Sequence, residues 1–159
     1  MSCGKLLGMI LLVTVAWGQT APNQNPAETT YPRIIHADIP LYPALAWALQ
    51  LTGTVEIQVV VQKGAVVNAE VKSVVLGPTK YVLNDEGKKK VGLYLSNPAL
   101  ANVKTWQFQQ EDDSATFSVE YVYRIEGEPT PVSGNPIVEL DLPRLVTVTA
   151  RPLKLVALP

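Results

Sequence analysis

The stretch Thr54-Val55-Glu56-Ile57-Gln58-Val59-Val60-Val61-Gln62 decides the fold class. Val55, Ile57, Val59 and Val61 fall on one face, and Glu56, Gln58 and Gln62 on the other. A period of two marks a strand with one buried face. Lys63-Gly64 follows as a tight turn. Residues 66–74 then alternate again, with Val67, Ala69 and Val71 set against Asn68, Glu70 and Lys72. A β-hairpin is therefore the unit around which the rest of the chain must pack.

Upstream of the hairpin, Tyr42-Pro43 opens a segment rich in Ala and Leu, residues 44–51, that reads as a short helix ended by Gly53. Pro43 suits its first turn, where a missing N–H is no loss. Residues 19–40 are polar, proline-containing and aperiodic, and read as a linker reaching ~60–70 Å when extended. Residues 1–18 have the form of a secretory signal peptide: Lys5, an apolar run over residues 6–17, and the small residues Ala16 and Gly18 before a cut. The run is too short to span a bilayer, which needs ~20 residues. Cleavage after Gly18 removes Cys3, and the mature chain is then free of thiol and disulfide chemistry. These features predict an exported, periplasmic protein, membrane-associated only if the apolar segment is retained.

Downstream, Gly77-Pro78 and residues 84–87 mark turns, and a weak helical pattern over residues 88–95 is interrupted by Gly92. Asn97-Pro98 reads as the cap and first residue of a helix carrying Leu100, Val103 and Lys104 on one face and closing at Trp106. A third strand runs over residues 116–125, where Phe117, Val119, Tyr121, Tyr123 and Ile125 alternate with polar residues. After a proline- and glycine-containing connection, residues 137–142 and 145–150 read as two further strands, followed by an apolar tail to Pro159.

Catalytic groups are scarce. The hydrophobic fraction is 47% and the net charge −1, which describes a folding chain with no nucleic-acid footprint. His36 is the sole histidine and falls in the linker. Asp85-Glu86 and Asp112-Asp113 are adjacent pairs, whose side chains diverge on any regular element, and Lys88-Lys89-Lys90 reads as a solvated run. No nucleophile elbow, phosphate loop or zinc motif is present. The residues therefore point to no catalysis, cofactor, metal or small-molecule substrate.

The ordered set Tyr42, Pro43 and Ala46; Gly53 and Val55; Gly64 and Val66; Ala99, Val103, Trp106 and Phe108 resembles the C-terminal domain of the TonB family over residues 35–126. The resemblance implies an α+β domain at residues 41–126, in which a three-stranded antiparallel sheet packs against two helices. Residues 127–159 then form an extension with two extra strands, placed to cover the third strand and control access to it. It further implies a protein-binding module that takes a receptor segment by β-strand addition, linked to outer-membrane receptor transport. The binding edge is then the third strand, through Thr116, Ser118, Glu120, Val122 and Arg124, with help from Leu41 and Tyr42. The implied partner is an outer-membrane receptor or other envelope protein, and a homodimer is compatible with the same motifs. The short linker and the lack of an anchor depart from an energy transducer. They leave as the alternative a structural or assembly protein of the envelope.

Overall fold

Residues 31–109, 113–131 and 134–154 are described by the computed structural model. The expected leader and Cys3, the linker up to residue 30, Asp112 and the end of the tail lie outside them. The elements are β1 (Ile34–His36), α1 (Ala44–Ala48), β2 (Gly53–Gln62), β3 (Ala65–Leu76), α2 (Asp85–Val103), β4 (Gln107–Phe108), β5 (Ala115–Ile125), β6 (Ile137–Asp141) and β7 (Leu145–Ala150).

These strands form one sheet of seven in the order β1-β4-β3-β2-β5-β7-β6. This corrects the three-stranded antiparallel sheet with two added strands that the TonB resemblance implies. Two strands come from segments with too little alternation to be legible: β1 from the linker and β4 from the expected helix exit. The sheet is also mixed, because β7 pairs parallel with β5 from Glu120↔Leu145 to Ile125↔Ala150. The connection after β5 carries the chain past this position to make β6 first. The β6–β7 hairpin then inserts β7 between β5 and β6.

The hairpin of β2 and β3 has the turn its sequence demands. Lys63 and Gly64 both adopt positive φ, at 50° and 78°, the conformation that matches the twist of antiparallel strands. Val55, Ile57, Val59 and Val61 are buried. They oppose Tyr121, Val119, Phe117 and Ala115 across the β2–β5 ladder, and Val146 and Val148 of β7 extend the same core. Phe108 of β4 lies 5.8 Å, centroid to centroid, from Phe117 of β5. Two strands separate them in the sheet order, so the sheet curls to bring them together.

The second helix differs from the weak pattern over residues 88–95 and the separate helix starting at Asn97-Pro98 that the sequence suggests. It is one helix of 19 residues, capped by Asn84, whose side chain accepts from the Gly87 N–H at 2.8 Å. Asp85 and Glu86 sit in its first turn, where acidic groups suit the helix dipole. Pro98 is carried inside the helix, not at its start. The loss of one bond there, with a penalty of ~3 kcal/mol, is offset by the burial of Leu95, Ala99 and Val103 at spacing four. Gly92 is buried against β3: a Cβ there would lie 3.3 Å from Val74 Cγ1. The residue that weakens the helical pattern is thus the one that lets the helix approach the sheet.

Candidate interaction site at a free strand edge

β3 is paired with β2 along its whole length. On its other side, among the described residues, a single pair joins it to β4, Ala65 opposite Gln107. Most of a twelve-residue strand therefore presents an unpaired ladder. The register with β2 slips twice, which leaves Val67 and Lys72 as extra residues on β3. Such bulges twist an edge away from indiscriminate pairing. Beyond the second bulge, residues 73–76 pair regularly with β2. The Gly77 N–H donates to Thr52 O at 2.8 Å, so the antiparallel alternation turns the N–H and C=O of Val74 and Leu76 to the open side.

This regular stretch borders a groove of about 890 Å³ between β3, the loop after it and the first half of α2. Val74, Leu76, Tyr81, Leu83 and Leu93 supply much of its apolar lining. Val75 and Leu93 are 63% and 48% exposed, and Val82 is fully so. Lys88 and Lys89 stand on the α2 side, and Lys80 lies 5.4 Å from the centre of the Tyr81 ring. An open ladder beside an apolar groove is suited to an extended polypeptide: the ladder takes its main chain and the groove takes alternate side chains.

The residues that the TonB resemblance marks as a binding edge lie elsewhere. Thr116, Ser118, Glu120, Val122 and Arg124 occupy β5, which is internal in the sheet. Glu120 and Val122 are paired on both sides, to Glu56 and Thr54 of β2 and to Leu145 and Thr147 of β7, while Arg124 opposes Thr149. Thr116 and Ser118 pair with Val60 and Gln58 of β2, and among the described residues no ladder lies on their other side. Leu41 is 72% exposed, whereas Tyr42 is buried and donates its hydroxyl to Leu51 O.

The motif residues serve the core. Trp106 and Phe108 are each 2% exposed, and Val55 is buried beside them in the same cluster, against which Val66 packs. Pro43 stands at the cap of α1. Gly53 is required by close approach, since a Cβ there would meet Val75 O at 2.5 Å. His36 is exposed and hydrogen-bonds Asp38 at 3.0 Å. Among the described residues no group of three His, Cys, Asp or Glu is placed to hold a metal, and no helix is long and apolar enough to cross a membrane.

The free edge of β3 had no local signal in the sequence: valine doublets such as Val66-Val67 and Val74-Val75 occur equally in the internal strand β2, at Val59-Val60-Val61. Which side of the hairpin stays unpaired depends on where β5 docks, and local pattern does not carry that. No family model matches the chain, and no curated protein matches it.

Proposed function

We propose that this chain is a protein-binding module of the cell envelope that acts by strand addition and not by catalysis. One observation carries the reading: the open ladder at Val74 and Leu76, set beside the apolar groove of β3 and α2. The envelope setting rests on the leader-like residues 1–18. The TonB likeness, which rests on the sequence motifs alone, would make the partner an outer-membrane receptor or another envelope protein.

A second reading, a structural or assembly protein without energy transduction, is favoured by β7. This strand occupies the β5 edge that the TonB likeness assigns to a receptor, and its Val146 and Val148 are fully buried there.

The test uses the mature chain as bait in envelope extract, alongside a Leu93→Gln variant that spoils the groove at an exposed position. Strand addition predicts a captured protein that is lost with the variant, and new amide protection at Val74 and Leu76 in the complex. Protection confined to β5 or β6 would overturn the assignment of the edge.

A further inference from the structure

The groove between β3 and α2 carries charge of one sign. Lys88 and Lys89 line it, and none of its lining residues is acidic. Both lysines are exposed. Asp85 reaches Lys88 at 3.5 Å, whereas no ion pair holds Lys89 among the described residues. Gly92 and Leu93 line the same groove. Lys88 and Gly92 are four apart, as are Lys89 and Leu93, so all four lie on one side of α2 in successive turns. The cationic rim therefore stands ~5 Å along the helix axis from the apolar wall. Val74 and Leu76 of β3 complete the apolar lining. The volume of about 890 Å³ falls within the ~300–1,000 Å³ of small-molecule sites.

We infer that this groove binds a single-chain fatty carboxylate. The acyl chain lies against Val74, Leu76 and Leu93, and the carboxylate meets Lys88 and Lys89 at the rim. Such a molecule has one anionic end and an apolar body, in the order that α2 presents over a single turn. Affinity comes mainly from the chain, since each methylene taken out of water adds to binding. The exposed lysines contribute less and choose the sign of the head group. The inference stands apart from strand addition: an acyl chain makes no ladder bonds, and the N–H groups of Val74 and Leu76 stay open to exchange when it is bound.

The test is calorimetric titration of the mature chain with octanoate, decanoate and dodecanoate, and with decanol and decylamine, all below their micellar concentrations. Decanoate binds about tenfold tighter than decanol or decylamine at low salt, the size expected of exposed ion pairs. The preference shrinks at high salt, and affinity rises with each lengthening of the chain. A Lys88→Gln/Lys89→Gln double variant, altered only at exposed positions and checked by its thermal melt, removes the preference and leaves decanol binding unchanged. Leu93→Gln weakens every ligand. Equal binding of decanoate, decanol and decylamine overturns the carboxylate, and binding of none overturns the site. Adsorption to phosphatidylglycerol vesicles without binding of monomeric decanoate also overturns it, in favour of a membrane surface. Capture of an envelope protein with protection at Val74 and Leu76, but no uptake of decanoate, overturns this inference and leaves strand addition standing.

Discussion

Tyr121 of β5 donates its hydroxyl to the side-chain oxygen of Asn102 on α2, at 2.7 Å. The same oxygen accepts the indole N–H of Trp106 at 3.3 Å, and the Asn102 amide donates to Asp38 O at 2.9 Å. One side chain thus joins the central strand, the end of the long helix and the segment leading to α1. Asn102→Ala leaves a buried phenol and indole without their acceptor. A loss of ~2–3 kcal/mol is expected, read as a lower denaturant midpoint with an unchanged slope.

The next tyrosine along β5 has the opposite outlook. The Tyr123 hydroxyl is buried with no hydrogen-bond partner among the described residues, and its ring packs edge-on to Tyr42 and stacks with Tyr121. Phenylalanine keeps the ring and removes the unpaired polar atom. Tyr123→Phe is expected to raise stability by ~1 kcal/mol, whereas Tyr121→Phe lowers it by a similar amount. Thermal melts of the two variants should move in opposite directions.

Burial holds the hydroxyls of Tyr42, Tyr121 and Tyr123 well above the ordinary tyrosine value of 10.0, and for Tyr121 and Tyr123 a neighbouring phenol adds to the effect. The folded state therefore keeps protons that the unfolded chain releases. Stability from these groups is complete below the ordinary value and declines as pH rises above it. Alkaline titration should show their tyrosinate absorbance appearing together with the loss of far-ultraviolet structure. Smooth ionisation within a folded protein would contradict the burial of this cluster.

The hairpin was legible because Val55, Ile57, Val59 and Val61 recur at a period of two, and β5 because Phe117, Val119, Tyr121 and Tyr123 do the same. Pattern failed where tertiary contact overrides local preference. Gly92 and Pro98 look like breaks in a helix, yet one is a close-packing point against Val74 and the other is carried by the burial around it. β1 and β4 are three and two residues long, too short for any period. The candidate site is mostly illegible for a further reason: its edge is defined by where β5 and β4 are, and those placements are long-range. Its lysines and valines could be seen in the sequence, but their meeting in one groove could not.

The C-terminal extension is part of the core, and that sets the outcome of removing it. Val146, Val148 and Ala150 of β7 are each at most 1% exposed, and they oppose Tyr121, Tyr123 and Ile125 of β5. The chain beyond β7 is fastened to the first helix and its end: the Trp47 indole donates to Arg151 O at 2.6 Å, and the Gln50 amide to Leu153 O at 3.3 Å. Burying a single valine side chain contributes ~1.5–3 kcal/mol. The three β7 side chains and the ladder together approach the whole net stability of a domain this size, ~5–15 kcal/mol. Truncation after Glu128 is therefore expected to abolish cooperative unfolding and expose dye-binding apolar surface. A displaceable cover would behave differently, leaving a truncated domain that still melts cooperatively and gains amide exchange only along β5. The milder Val148→Ala separates the two outcomes without deleting a strand. As a core residue it lowers stability by ~1–3 kcal/mol, whereas as part of a loose cover it leaves the melt of the remaining sheet unchanged.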